Sequence, residues 1–191
     1  LRNDRKIDAE KVIKHLYERH WGIVTALDGD KHALLDGVKA KIDAIFAIMN
    51  NAVDKFCGKE MPDAEKALLI SSGEYLSSNI IAYAMNSMGI KTAWFDAREI
   101  IITNDDLMKA SPIMEEVSNR AKPFITKAYK GMDAVITQGF IASNIAGKPS
   151  LLGRGVSDYS ASLIGMAIDA DRIEIWTDVD GVRTADPRIV E

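Results

Sequence analysis

Apolar side chains recur at three- and four-residue spacing through the first sixty residues of the chain. One such run covers residues 8–27, and a second covers residues 34–56. This spacing puts the apolar side chains on one face of a helix, so the pattern predicts two amphipathic helices. Residues 28–31, Asp-Gly-Asp-Lys, contain an Asp-Gly turn signal and indicate a turn between the helices. Gly58 is the expected end of the second helix.

Three further helices are predicted beyond residue 60. The first begins at Pro62-Asp63, is expected to break near residues 71–73, where serine and glycine cluster, and ends at Gly89. Helical spacing also covers most of residues 105–128, with interruptions expected at Pro112 and Pro123, and it covers residues 157–170.

Short runs rich in β-branched and aromatic residues separate these helices. They predict strands, at residues 91–95, 99–103, 134–137 and 173–177. Alternating helices and short apolar strands predict one α/β domain with a largely parallel central sheet.

The composition excludes several classes of protein. Of the 191 residues, 47% are hydrophobic and 27% are charged, as in an ordinary globular domain. The net charge of −4 argues against nucleic acid or a membrane surface as a partner, because such partners favour a basic surface. No run approaches the ~20 apolar residues that span a bilayer, and no signal peptide is apparent. Cys57 is the only cysteine, so an internal disulfide is impossible and a cytoplasmic location is expected.

Residues 152–160, Leu-Gly-Arg-Gly-Val-Ser-Asp-Tyr-Ser, join a loop to a predicted helix. The two glycines allow close approach of the backbone to a ligand, and the N–H groups of a helix N-terminus favour an anion. Arg154 can add a planar fork for a carboxylate or a phosphate. The spacing matches neither a P-loop nor Gly-x-Gly-x-x-Gly. On the pattern alone, a tight turn in which Ser157 or Asp158 caps the helix explains the segment at least as well.

Residues 176–188 follow the last predicted strand. Their polar side chains therefore leave the carboxyl end of the sheet, where ligands bind in open α/β folds. Asp178, Asp180 and Asp186 can support a magnesium nucleotide, and Arg188 can contact phosphate. An acidic loop punctuated by Asp-Gly and Asp-Pro explains the same pattern. The segment is not an EF-hand, because the alternating oxygen ligands and the terminal glutamate are absent.

Two other segments carry polar groups at the ends of predicted elements. Glu74 follows the expected break at residues 71–73, where it can favour the dipole of a helix N-terminus or face a ligand. Residues 138–140, Gln-Gly-Phe, end a strand and either shape the floor of a pocket or simply pack. The three histidines lie in the N-terminal helices without metal-ligand spacing, so no metal site is predicted.

The order and spacing of these segments resemble the aspartokinase family of the amino acid kinase superfamily. The resemblance covers roughly residues 70–191. Its segments are Ser72-Gly73-Glu74, Val-Ile-Thr-Gln-Gly-Phe-Ile at residues 135–141, Leu-Gly-Arg-Gly-Val-Ser-Asp-Tyr at residues 152–159, and residues 176–188. The last two segments together are highly specific for this family. The resemblance implies an αβα sandwich with a largely parallel central sheet, carbamate kinase-like and here incomplete. It also implies transfer of phosphate from ATP to the side-chain carboxylate of L-aspartate, the first step of lysine, threonine and methionine biosynthesis.

The resemblance implies a role for each matching residue on the aspartate side of the site. Arg154 would clamp a carboxylate of the substrate, and Glu74 would face its amino group. Ser157 and Phe140 would complete the aspartate pocket.

On the nucleotide side, the implied ligands are ATP and Mg²⁺. Thr177, Asp178 and Arg188 would line the nucleotide site. Asp158 would orient catalytic lysines rather than act as a base. The full-length protein is expected to be a homo-oligomer.

The chain departs from the family pattern in four ways. The N-terminal motif Lys-Phe-Gly-Gly-Thr-Ser, with its catalytic lysine, is absent, and the chain stops before a downstream lysine and the regulatory ACT domains. Val156 replaces a usual glycine, and Arg183 replaces an aromatic or aliphatic residue. We therefore expect one truncated kinase domain, inactive by itself. Residues 1–60 would be its helical variable region, and residues 61–191 would carry the substrate and nucleotide sites.

Two other functions fit the same residues. One is another amino acid kinase, acting on glutamate or on a nucleoside monophosphate. The other is a non-catalytic regulatory or scaffold piece that keeps the kinase fold.

Overall fold

The computed structural model describes residues 2–28, 34–153 and 157–176. Its first part consists of three long helices, α1 (Arg2–Asp28), α2 (Leu35–Phe56) and α3 (Asp63–Ser87). The two N-terminal helices predicted from apolar spacing are therefore confirmed. After α2 the backbone turns at Gly58 with a φ of 71°, a left-handed conformation that glycine adopts without steric cost.

The three helices pack side by side. Val24 of α1 and Ile42 of α2 are fully buried in their shared core. The rings of Tyr17 and Phe46 meet edge to face, with centroids 5.1 Å apart. The Tyr17 hydroxyl also donates to Asp43 Oδ1 at 2.8 Å, which joins α1 to α2. Of these three helices, α3 also packs against the β-strands described below.

The predicted break in α3 is wrong, because the helix is continuous through residues 71–73. Ser71 and Ser72 are buried, and their hydroxyls donate to the carbonyls of Ala67 at 2.6 Å and Leu68 at 3.4 Å. This bonding to the preceding turn satisfies each hydroxyl inside the helix. Burial against the rest of the fold therefore overrides the weak local helix propensity of the segment.

The strands form two small sheets. In the first, β1 (Thr92–Trp94) pairs in parallel with β3 (Ala134–Ile136). In the second, β2 (Ile102–Thr103) pairs in parallel with β4 (Ile141–Asn144), and β5 (Pro149–Leu151) lies antiparallel to β4. The α/β class is thus confirmed, with sheets that are small and partly parallel. The β4–β5 hairpin was not predicted from the sequence pattern.

Two more helices, α4 (Met114–Tyr129) and α5 (Ser157–Ala167), pack against each other. The interruption expected at Pro123 is wrong, because α4 continues through this residue. The prediction of helix at residues 105–113 is wrong, because Pro112 forms an isolated antiparallel bridge with Thr103 there. Between β1 and β2, the chain forms a short 3-10 helix at Ala97–Glu99, so only Ile102 and Thr103 of the predicted strand at residues 99–103 pair in the sheet.

The prediction of a strand at residues 173–176 is also wrong. Within the described ranges no strand pairs with this segment, and Trp176 is 90% exposed. A β-branched run forms a strand only where a neighbouring strand satisfies its backbone groups. Position 177 lies outside the described residues. No helix in the described part of the chain is long and apolar enough to cross a membrane.

Candidate active site

The carboxyl ends of β1 and β3 lie side by side at one edge of the first sheet. They meet there because the two strands are parallel and Trp94 lies opposite Ile136. Beyond this point both chain segments leave the sheet, one through residues 95–101 and the other through residues 137–140. In open α/β sheets this edge is where ligands bind.

Helix α3 runs antiparallel to β1 and brings Glu74 toward this edge. The Asn86 side chain bonds both backbone groups of Thr92, at the start of β1. Near the end of β1, Trp94 Nε1 donates to Ser78 Oγ at 2.9 Å. Earlier positions on the helix therefore lie progressively beyond the strand. Glu74 is one turn before Ser78, on the same face.

Glu74 is a half-buried carboxylate within α3. The prediction that it begins a helix is wrong, because α3 begins at Asp63. Burial raises the pKa of the Glu74 carboxyl, and within the described residues its side chain has no hydrogen-bond or ion-pair partner. An unpaired, partly desolvated carboxylate gains from a cationic ligand that restores the lost solvation.

The turn after β3 brings Phe140 and Ser157 together. A Cβ added at Gly139 would lie 3.1 Å from both Cα and Cβ of Ser157, a tight contact that would require the neighbouring atoms to shift, so glycine favours this close approach. The Phe140 N–H donates to Ser160 Oγ at 2.9 Å, and its carbonyl accepts from the Leu152 N–H at 2.9 Å. These bonds fix Phe140 between α5 and the end of β5.

Phe140 has a φ of 71°, a left-handed conformation that costs a non-glycine residue roughly 1–2 kcal/mol. Its two backbone bonds hold it there. Strain of this kind is common at ligand sites, where the surrounding structure overdetermines one residue.

The first turn of α5 faces this region with Ser157 and Asp158, both exposed. Free N–H groups at a helix N-terminus attract anions, and a nearby acidic residue complements the same partial charge. The structure thus brings together Gly139, Phe140 and Ser157, with Asp158 adjoining them in the chain.

Four of the predicted site residues, Arg154, Thr177, Asp178 and Arg188, lie outside the described residues. So do the carboxylates at positions 180 and 186 that can support a magnesium nucleotide. Within the described ranges, no group of three or more histidine, cysteine or acidic side chains is arranged to hold a metal ion. No described residue is therefore assigned as a metal ligand.

A polar cluster of Tyr75, Asp96 and Arg98, around the segment after β1, was not predicted from the sequence. Asp96 accepts from the Tyr75 hydroxyl at 3.0 Å and from Arg98 Nη2 at 2.6 Å. The Arg98 guanidinium lies 5.1 Å from the centre of the Tyr75 ring. Burial, with the Asp96 charge as a further cause, raises the pKa of Tyr75, so its hydroxyl stays protonated and donates. In the sequence, the pattern that could have indicated this cluster is Asp-x-Arg directly after a predicted apolar strand.

This α/β architecture places parallel strand ends, an adjoining helix and a helix N-terminus at one edge, the edge at which open α/β domains bind ligands. The chain belongs to the amino acid kinase family, whose family profile matches residues 9–191.

Curated relatives include several aspartokinases. The chain is 39% identical to the lysine-sensitive aspartokinase 3 of Escherichia coli over 123 residues, which are 64% of this chain and 27% of that protein. It is 38% identical to aspartokinase 1 of Bacillus subtilis over 128 residues, 66% of this chain and 30% of that protein. The chain thus spans less than a third of these relatives. The resemblance to aspartokinases noted in the sequence is confirmed.

Solved structures of aspartokinases are also similar to this chain in fold. Aspartokinase III of E. coli, in complex with aspartate and ADP, matches 93% of this chain and 38% of its own chain, with 28% identity and a TM-score of 0.77. The aspartate kinase of Clostridium acetobutylicum matches 95% of this chain and 36% of its own, with 27% identity and a TM-score of 0.67.

Proposed function

We propose that the protein containing these residues is an aspartokinase, which transfers the terminal phosphoryl group of ATP to the side-chain carboxylate of L-aspartate. The products would be ADP and 4-phospho-L-aspartate, the entry point to lysine, threonine and methionine biosynthesis. The observation that carries this proposal is the match, over 93% of the chain, to an aspartokinase structure that holds aspartate and ADP.

The aspartate site would form between α3 and the N-terminus of α5. Glu74 offers a carboxylate that has no partner among the described residues and whose pKa is raised by burial, which suits the amino group of the substrate. Phe140 and Ser157 are held together by the close approach at Gly139 and would line the pocket. Arg154 would complete it by binding a substrate carboxylate in bidentate fashion.

The nucleotide site would involve the residues that follow position 176. Thr177, Asp178 and Arg188 would line it, and ATP would enter as its Mg²⁺ complex, so that the metal arrives with the substrate. The Mg²⁺ complex supplies charge neutralisation for the phosphates. Asp158 would orient the catalytic lysines of the complete enzyme.

The reaction needs little covalent chemistry from the protein. The carboxylate of aspartate is already ionised at neutral pH, so no general base is required. Catalysis then depends on in-line placement of two anionic reactants and on stabilising the charge of the transferring group. Alignment of two bound reactants can supply roughly 7–11 kcal/mol of barrier lowering. The rigid backbone around Phe140 suits that task.

The organisation of the chain follows from the same proposal. Residues 1–60 would form the helical variable region of a kinase domain, and residues 61–191 would carry its substrate and nucleotide sites. The full-length protein would be a cytoplasmic homo-oligomer.

Trapping aspartyl phosphate as its hydroxamate tests the function directly. The full-length protein, supplied with MgATP and L-aspartate, should form the hydroxamate, whereas residues 1–191 alone should not. Glutamate and nucleoside monophosphates serve as competing acceptors. Phosphorylation of one of these in place of aspartate would identify a different kinase, and no transfer to any acceptor would favour a non-catalytic role.

A further inference from the structure

One buried amide lies between the two halves of the proposed aspartate site. Gln138 is only 2% exposed and stands at the end of β3, two residues before Phe140. Its side chain crosses to the segment that leaves β1, where Oε1 accepts from the Ala97 N–H at 3.0 Å and Nε2 donates to the Phe95 carbonyl at 3.1 Å. Nε2 also donates to Ser78 Oγ on α3 at 3.0 Å.

These partners require an amide at position 138. The Ala97 N–H can only donate and the Phe95 carbonyl can only accept, so the side chain needs an acceptor and a donor on one planar group. A carboxylate would put a negative oxygen against the Phe95 carbonyl, and an apolar side chain would leave both backbone groups unbonded. A buried, fully bonded polar group of this type specifies a single arrangement of the elements around it.

The elements that Gln138 joins carry the proposed aspartate contacts. On one side, Ser78 lies one helical turn from Glu74. On the other, the chain continues directly into Gly139 and Phe140, and Gly139 is packed against Ser157. The Gln138 amide therefore links the helix bearing Glu74 directly to the turn that leads into Phe140, beside the bonds that Trp94 and Thr92 of β1 make to the same helix.

We infer that Gln138 is a positioning residue for aspartate, which sets the distance from the helix bearing Glu74 to the turn bearing Phe140. This inference rests on the proposed function. Gln138 itself touches no substrate. It acts by holding α3, the segment after β1 and the Gly139–Phe140 turn in one arrangement.

Steady-state kinetics of the full-length protein test this role. Gln138→Met keeps the length of the side chain but removes all three bonds. Ser78→Ala keeps both backbone bonds of Gln138 and removes its link to α3, together with the Trp94 hydrogen bond to the same hydroxyl. A displacement near 1 Å can cost 10²-fold, so kcat/KM for aspartate should fall by about 10- to 100-fold in Gln138→Met and by less in Ser78→Ala. The loss should appear mainly in KM for aspartate, while KM for ATP stays within about twofold.

Tyr83→Phe is the matched control, because it removes a buried hydrogen bond from α3 to Asp28, away from the strand ends. It should lower stability without changing KM for aspartate. If Gln138→Met changes only the amount of active enzyme, with both KM values unchanged, Gln138 has a structural role alone and the inference is wrong.

Amide hydrogen exchange gives a second result that does not depend on activity. Gln138→Met should accelerate exchange at Ala97 and across residues 139–141, and Tyr83→Phe should not. Unchanged exchange at residues 139–141 would overturn the inference. The wild-type protein could instead form no aspartyl phosphate while Gln138→Met still accelerates exchange at residues 139–141. That result would refute the proposed function and leave Gln138 as the residue that orders this turn.

Discussion

Replacing Gly139 by alanine tests the packing on which the proposed aspartate site depends. The added Cβ would lie 3.1 Å from Cα and Cβ of Ser157 and 3.3 Å from its Oγ. Carbon atoms normally pack about 3.5–4.0 Å apart, so the contact is too short by roughly 0.4–0.9 Å. The backbone of Gly139 is not in the left-handed region, so the predicted effect comes from this contact alone.

The size of the effect follows from that shortfall. All three close atoms belong to Ser157, the first residue of α5, and two of them, Cα and Cβ, cannot rotate away. The helix or the turn must therefore move by a few tenths of an ångström. Overpacking of this type costs about 1–3 kcal/mol. For a domain of this size, that corresponds to a fall in Tm of about 2–12 °C. Because Ser157 would move with the helix, KM for aspartate should also rise.

Thermal unfolding and steady-state kinetics measure the two effects. Gly22→Ala is the matched control, because Gly22 is exposed within α1 and nothing lies within 4 Å of its added Cβ. That change should stabilise the protein by about 0.5–1 kcal/mol. If Gly139→Ala unfolds at the wild-type temperature and binds aspartate equally well, the turn after β3 is not packed as described and the argument for a rigid pocket wall fails.

Three further predictions concern single side chains. Burial raises the pKa of Glu74, and the ionised form is needed to hold an ammonium group, so kcat/KM for aspartate should decline on the acid side of neutrality at a pH above the ordinary glutamate pKa of 4.5. Glu74→Gln should lower kcat/KM about 10- to 100-fold and abolish that decline, and a decline that persists in the variant would exclude Glu74 as its source. Phe140→Gly should be about 1 kcal/mol more stable than Phe140→Ala by urea unfolding, because glycine relieves the left-handed φ; equal stabilities would show that residue 140 is unstrained. Tyr83→Phe should lower the free energy of unfolding by about 1–3 kcal/mol, because its hydroxyl donates to the buried Asp28; an unchanged urea midpoint would contradict that bond.

Long periodic elements were predictable from the sequence, and short ones were not. Helices α1 and α2 each carry several turns of apolar spacing, so their signal is strong. The break predicted in α3 is wrong because its buried serines donate hydrogen bonds to carbonyls of the preceding helical turn. Tertiary packing, which the local sequence does not show, determines this arrangement. The strand predicted at residues 173–176 is wrong for the opposite reason. Its sequence suits a strand, but no strand in the described part of the chain pairs with it.

The candidate site was predictable only in part. Resemblance to a family gave Glu74, Phe140 and Ser157, but spacing along the chain could not show that Gly139 and Ser157 are in contact. Gln138 was visible only as part of a Gln-Gly-Phe sequence at a strand end. Its function as a link depends on Ala97 and Ser78, which lie 41 and 60 positions away.

The interruption shared by both parallel strand pairs limits how this region can change in evolution. Between the first sheet, where Trp94 pairs with Ile136, and the second, where β2 pairs with β4, one segment uses residues 95–101 and its neighbour uses residues 137–140. The two detours lie side by side and are joined by the Gln138 amide. An insertion or deletion in either detour would displace the Gln138 amide from the backbone groups of Phe95 and Ala97 that it bonds. Related sequences that keep this amide should therefore keep the length of both detours.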